Sequence, residues 1–289
     1  MIPGKFEYFA PTTLPEAVKV LTEHGYGAKI LAGGQSLIPA MRFRLAQPEV
    51  LIDINGIAGL SYIREENGHL VIGAMTREAE LDASSLIHQK YPLLADTAKV
   101  IADPLVRNMA TVGGNLAHAD PANDHPATML AYNASVVAIG PSGERVIPID
   151  DFFVDLFTSS LAENEILREI HIPTPPAHSG GAYLKIERKV GDYAVAAVAV
   201  QLTLSGDTCQ SIRIGLTNVS PKPIRAANAE AALAGQRLTE DNIKAASVAA
   251  AQACEPSSDL RGSEAYKRDL VRVITVRAIN RAVERARAA

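Results

Sequence analysis

Two short stretches of this 289-residue chain join adjacent glycines to small polar neighbours: Ala32-Gly33-Gly34-Gln35-Ser36 and Thr111-Val112-Gly113-Gly114-Asn115. A pyrophosphate needs several backbone N–H donors turned inward and room for its non-bridging oxygens. Paired glycines supply both, because no Cβ blocks the approach. Ser36, Thr111 and Asn115 add neutral hydrogen-bonding groups. Neither stretch is a Gly-Lys-Ser/Thr phosphate loop, and neither fits G-x-G-x-x-G. One Gly-Gly among 20 glycines is ordinarily a turn. Two of them, each extended by small polar residues, make a nucleotide site a candidate.

The second stretch runs on through Leu116, Ala117, His118, Ala119, Asp120, Pro121, Ala122, Asn123 and Asp124, unusually polar for the approach to an apolar helix. Asp120 and Asp124 can each accept hydrogen bonds from sugar or ribityl hydroxyls. Asp124 fits equally well as a first-turn carboxylate favoured by the helix dipole, and Asp120 as a turn residue before proline. His118 with Asp120 is half of a metal pair at most, and nothing at ligand spacing completes it. Further on, Lys185-Ile186-Glu187-Arg188-Lys189-Val190-Gly191-Asp192-Tyr193 passes from strand alternation through a glycine turn to an aromatic. Tyr193 can stack on a planar ring or pack half-buried in a core. Lys185 reads as a surface lysine on an edge strand. No G-x-S-x-G, no H-E-x-x-H and no other hydrolytic constellation is present, so a bound redox cofactor would supply the chemistry the side chains lack.

The elements that must position these groups follow from periodicity. Thr13-Leu14-Pro15-Glu16 matches a capping box and opens a helix that Gly25 and Gly27 close. Strands are expected at 28–31, 50–54, 60–64 and 70–72, then helices at 77–86, 92–98 and 123–131. Strands at 135–139 and 146–149 flank a Gly140-Pro141-Ser142-Gly143 turn, and the alternating stretch 166–172 closes the unit. The segment 174–180, rich in proline and glycine, reads as a domain boundary. Beyond it lie strands near 182–187, 194–204 and 211–219 and helices at 226–233, 241–253 and 263–286. The stretch from Arg261 holds eight basic residues against three acidic ones. It reads as a solvated helix packed through Val273, Val276, Ile279 and Val283, the alternative being a contact surface for a partner.

Composition removes several classes of function. With 47% hydrophobic residues the chain can bury a sizeable core. A net charge of -4 gives no general case for nucleic acid or an anionic membrane. The apolar runs are far too short to span a bilayer, and the opening residues carry no secretory pattern, which implies a cytoplasmic protein. Cys209 and Cys254 stand alone, and two thiols cannot ligate an iron–sulfur cluster or a four-thiolate zinc. No metal ligands and no acid–base pair acting on an organic substrate are expected.

The segments 32–39 and 111–124, with the later Glu187-Arg188-Lys189-Val190-Gly191-Asp192-Tyr193-Ala194, closely resemble the FAD-binding medium subunit of the molybdenum hydroxylases, the xanthine dehydrogenase and aerobic carbon monoxide dehydrogenase family. The likeness runs over essentially the whole chain, with three separated motifs in order. It implies an α+β chain: a two-subdomain FAD-binding fold of the vanillyl-alcohol oxidase and xanthine dehydrogenase type over 1–177, with subdomains of about 1–57 and 58–177. A C-terminal domain of antiparallel sheet and helices would follow over 178–289. FAD would lie between the subdomains with Ala32, Gly33, Gly34, Gln35, Ser36, Thr111, Gly113, Gly114 and Asn115 on its pyrophosphate, and Asp120 and Asp124 on its polar groups. Leu167 resembles the family residue near the adenine, Lys185 the basic residue beside the flavin, and Tyr193 the aromatic covering the isoalloxazine. The resemblance also implies a large molybdenum-pterin subunit and a small subunit with two [2Fe-2S] clusters, assembled as a dimer of heterotrimers, and an external electron acceptor. The alternative is a free-standing FAD-dependent oxidoreductase of the same wider fold. Against it stands the absence of a histidine beside either glycine loop for covalent flavin attachment.

Overall fold

The computed structural model describes residues 2–289 and contains three main sheets. The first is built from β1 (Glu7–Phe9), α1 (Leu14–His24), β2 (Ala28–Leu31), α2 (Leu37–Arg42) and β3 (Val50–Asp53), with strand order β1-β3-β2, all parallel. Thr13 caps α1 by accepting from the Glu16 N–H. The return half of the expected capping box is displaced by one residue, since Glu16 accepts from the N–H and hydroxyl of Thr12. Ala17, Val18 and Leu21 of α1 pack with Val50, Ile52 and Ile54.

The second layer comprises β4 (Ile63–Glu66), β5 (His69–Gly73), α3 (Glu78–Ala83), α4 (Ser85–Lys90), α5 (Pro92–Val100), α6 (Pro104–Arg107), α7 (Val112–His118), α8 (Asp124–Tyr132), β6 (Ser135–Gly140), β7 (Gly143–Pro148), the short pair β8 (Phe153–Asp155) and β9 (Thr158–Ser159), and β10 (Ile166–Pro173). Its sheet runs β4-β5-β10-β6-β7. The stretch 166–172, expected to close the unit, therefore sits at the centre as β10, antiparallel to both β5 and β6. Its apolar residues are buried on both sides, which a central position requires. The single helix expected over 77–86 breaks at Ser84, whose side chain caps a new helix by accepting from the Ile87 N–H. The strand expected at 60–64 starts at Ile63.

The third sheet, β11 (Ser179–Ile186), β12 (Ala196–Ser205), β13 (Thr208–Thr217) and β14 (Ile224–Arg225), is a sequential antiparallel meander followed by α9 (Ala227–Leu233), α10 (Glu240–Gln252) and α11 (Glu264–Ala288). One face packs on α11, so closely that a Cβ on Gly180 would overlap the Ala282 carbonyl. The buried line of α11 is Val271, Ile274, Ala278, Ile279, Ala282, Val283 and Ala286. The helix is thus rotated from the sequence expectation, leaving Val273 and Val276 only half-buried. The small residues at 278, 282 and 286 explain the rotation, because they permit the close approach. The other face packs on α5 and α8, and Tyr183, Ala197 and Ala199 join the core of the second layer. Asp96 of α5 receives Arg285 at 2.7 Å and Arg281 at 3.1 Å, tying the last helix to that layer. Among the described residues no helix is long and apolar enough to cross a membrane.

Candidate functional site

The two glycine stretches meet. A Cβ on Gly33 would overlap the Met109 carbonyl and lie 2.8 Å from the Ala110 Cα, so the turn after β2 rests on the chain entering α7. Gly114 faces back, its Cβ position 3.7 Å from the Ala32 Cβ. Polar side chains hold the junction. Asn55 donates to the Ala32 carbonyl at 2.8 Å and to Asp53 at 2.6 Å. Arg77 bridges Asn55, at 2.7 Å, and the Met109 carbonyl. Nothing in the sequence marks Asn55 or Arg77, because each is an ordinary polar residue after a strand. Only the folded chain sets them between the two loops.

The first loop carries free donors. Among the described residues, the backbone N–H groups of Gly33, Gly34, Gln35 and Ser36 have no protein acceptor. Gly34 lies at φ +72, a conformation that suits glycine, and Ser36 starts α2 without using its hydroxyl as a cap. Gln35 folds its amide back onto the Gly33 carbonyl at 3.3 Å. A hollow of about 340 Å³ adjoins this loop, lined by Gly34, Gln35, Ile38, Pro39, Arg42 and Phe43.

The second stretch departs from the expected loop. Val112–His118 is a helix with Thr111 as its cap, and it keeps its donors inside the protein. The N–H groups of Val112 and Gly113 go to Thr76 and Ala74 at 3.0 and 2.9 Å, and that of Asn115 to Thr111 at 2.9 Å. The N–H of Gly114 goes to the Thr111 hydroxyl at 3.2 Å. Gly113 is required by contact, since its Cβ would lie 2.5–2.7 Å from Ala74 atoms. What this element can offer a ligand is the Thr111 hydroxyl hydrogen, the space above Gly114 and the Asn115 side chain. The Asn115 Oδ1 is buried with no protein partner.

The remaining candidates divide. Asp120 closes a turn by accepting from the Ala122 N–H at 2.9 Å. Asp124 is 6% exposed, and both its oxygens are taken: Tyr183 donates at 2.6 Å and Lys185 at 3.0 Å. Burial pushes the Asp124 carboxyl up, against the opposing pull of Lys185 and Tyr183. The surface reading of Lys185 is thus corrected. Its ammonium is buried, bonded also to the Val100 carbonyl at 3.0 Å, and it joins the third sheet to the second layer. Leu167 is 5% exposed and its side chain belongs to the main core. Tyr193 stands at the tip of the β11–β12 connection, 42% exposed, within electrostatic reach of Asp120 and Asp124. His118 lies beside Phe157, the rings tilted with centroids 5.1 Å apart, and burial lowers its pKa. Cys209 and Cys254 are buried free thiols, pushed up by burial to about 11 and about 12. Among the described residues no group of three or more His, Cys, Asp or Glu side chains could hold a metal ion.

Unclaimed donors beside a glycine turn and an orphaned Asn115 oxygen fit the diphosphate of a dinucleotide, so fold and site together point to a dinucleotide-binding protein of α+β type. The family model for the FAD binding domain in molybdopterin dehydrogenase matches residues 4–175, and that for the CO dehydrogenase flavoprotein C-terminal domain matches 181–282. The carbon monoxide dehydrogenase medium chain of Hydrogenophaga pseudoflava is 48% identical, with 98% of each chain covered. The 6-hydroxypseudooxynicotine dehydrogenase complex subunit alpha of Paenarthrobacter nicotinovorans is 38% identical, covering 99% of this chain and 97% of that one. Among solved structures, a chain of the Hydrogenophaga pseudoflava carbon monoxide dehydrogenase lacking the Mo-pyranopterin moiety of its molybdenum cofactor superposes with a TM-score of 0.97 at 50% identity, covering 99% of both chains. The chain belongs to the FAD-binding medium subunits of the carbon monoxide dehydrogenase and xanthine dehydrogenase family, the molybdenum hydroxylases.

Proposed function

We propose that this chain holds FAD as the electron-transfer subunit of a multi-subunit molybdenum hydroxylase, receiving electrons from [2Fe-2S] clusters of a small partner subunit and passing them to an external acceptor. The observation that carries the reading is the set of four unclaimed N–H groups at 33–36, set against the element that begins at Thr111. Those donors and the Ser36 hydroxyl would hold the pyrophosphate. Thr111, the Asn115 side chain and the space above Gly114 would complete the cradle. Tyr193 would cover the isoalloxazine. Asp124 and Lys185 act one step back, by fixing the third sheet, which carries Tyr193, against α8. FAD supplies the redox chemistry when bound, and the chain binds it, orients it and limits its contact with water.

Two buried thiols cannot ligate a cluster, so the iron–sulfur centres and the molybdenum-pterin centre belong on other chains, in a dimer of heterotrimers in the cytoplasm. The domain division that accompanies this reading is 1–57, 58–177 and 178–289. A relative that bears the name of carbon monoxide and another that bears the name of a nicotine-derived compound share the whole length of this chain. Substrate choice would therefore reside in the large subunit. The test is to purify the chain with whatever copurifies. A yellow complex releasing FAD on denaturation, together with an iron–sulfur chain and a molybdenum-pterin chain, is the expected result. A colourless preparation, or a flavoprotein with no such partners that oxidises substrate directly, would sink it.

A further inference from the structure

Tyr193 has no hydrogen-bonding partner for its hydroxyl among the described residues, and its ring stands partly in solvent. A cation lies against the ring. The Arg261 guanidinium lies 5.5 Å from the centre of the Tyr193 ring. Arg261 also donates to the Asp192 carboxylate at 3.1 Å, and that same oxygen accepts the Tyr193 backbone N–H at 2.8 Å. Ring and backbone of one residue are thereby referred to one guanidinium.

The loop that carries Arg261 is itself anchored. Asp259 accepts the backbone N–H groups of Arg261 and Gly262 at 2.7 and 3.0 Å. Its other oxygen takes the Lys267 ammonium at 2.8 Å, with Lys267 only 2% exposed in α11. On the opposite side Gly191, at φ +80, would set a Cβ 2.9 Å from the Ala102 backbone, which fixes the course of the tyrosine's own loop. A planar cation against an aromatic face restrains ring orientation as well as position, which the compact ammonium of lysine does less well.

We propose that Arg261 is a positioning residue that holds the Tyr193 ring at the mouth of the cofactor site, with Asp192 fixing the guanidinium and the Asp259–Lys267 pair fixing its loop. The inference rests on the reading of Tyr193 as the cover of the flavin. It adds that the cover is set by a residue of the C-terminal domain, 68 positions further along the chain.

The experiment uses the complex as purified, stripped of flavin and titrated with FAD. Arg261→Met should raise the FAD dissociation constant about two- to five-fold, the range of an exposed cation–π contact. It should also increase iodide quenching of the flavin. In a Tyr193→Ala background the same substitution should add nothing, and Arg261→Lys should fall between wild type and Arg261→Met. A readout independent of flavin is the tyrosinate absorption that Tyr193→Phe removes. Arg261 favours the phenolate of Tyr193, so its loss should move that titration to higher pH. Additive effects of Arg261→Met and Tyr193→Ala, or an unmoved tyrosinate titration, would overturn the inference. A wild-type complex that takes up no FAD would overturn the cofactor reading instead, and the tyrosinate titration, needing no flavin, tells the two failures apart.

Discussion

The first glycine loop leaves the N–H groups of residues 33–36 without protein acceptors, whereas the second element gives all four N–H groups of residues 112–115 to Thr76, Ala74 and Thr111. The two dipeptides look alike in sequence and differ in what they provide. Within each pair, however, the division is the same. The first glycine, Gly33 or Gly113, lies against a neighbouring backbone where no Cβ fits, and the second, Gly34 or Gly114, meets only side-chain atoms. Each Gly-Gly pair thus spends one residue on packing and leaves the other against side chains only, and the free backbone donors lie on one side alone.

The largest effects should come from the packing members. Gly33→Ala drives a methyl into Met109 and Ala110, and Gly113→Ala into Ala74, all backbone or directly attached atoms that cannot swing aside. Each should destabilise the chain by about 1–3 kcal/mol, the usual cost of overpacking. Thermal unfolding of the flavin-free chain measures this. A variant that melts like wild type would break the assignment of these two glycines to packing.

Gly114→Val separates cradle from scaffold. Its Cβ would lie 2.6 Å from the Thr111 hydroxyl, so the cap is disturbed, at about 1 kcal/mol. The valine methyls would also fill the space towards Ala32. The expected outcome is a folded chain that retains no FAD. Normal flavin content in the folded variant would remove this glycine from the site.

Much of this arrangement was legible in the sequence, and the remainder was hidden for physical reasons. Thr13 announces a helix start through a local bond to the N–H three residues on, and the folded chain has that helix. The pairing of the two glycine stretches was also readable, from their shared polar neighbours and the family likeness. The helix at 112–118 was not, because glycine is a poor helix former and tertiary bonds from Val112 and Gly113 to Thr76 and Ala74 override that preference. Nor was the engagement of Asp124, whose partners Tyr183 and Lys185 lie 59 and 61 residues away. Periodicity records which face of a strand is apolar, not which distant strand it joins, so the central place of β10 stayed hidden.

Smaller effects sharpen the contrast between hydroxyl and amide. Thr111→Ala removes the acceptor for the Gly114 N–H and should cost about 1 kcal/mol of stability. Thr111→Ser keeps the hydroxyl and should recover most of it. The freed Gly114 N–H would then face the cradle. If Thr111 acts mainly as a cap, FAD affinity in Thr111→Ala should fall less than stability does. A loss of affinity far larger than the loss of stability would mean that the hydroxyl itself holds the cofactor.

The smallest effect concerns pH and the junction that holds the first loop. Burial alone would raise the Asp53 carboxyl, but the Tyr8 hydroxyl at 2.6 Å and the Asn55 donors bind its charged form and hold it below the ordinary carboxylate value. With the folded-state pKa below the unfolded one, this contribution is complete above the unfolded carboxylate range, roughly pH 4. It is lost as pH falls through the lower folded value. Asn55 also carries the Ala32 carbonyl, so protonating Asp53 should loosen the donor loop while leaving Gly113 packed on Ala74. Flavin release should therefore accelerate on the acid side before the chain unfolds. Asp53→Asn, which cannot ionise, should flatten that part of the release profile. Coincident acid profiles for wild type and variant would show that Asp53 does not govern the loop, and that the two glycine elements fail together rather than in turn.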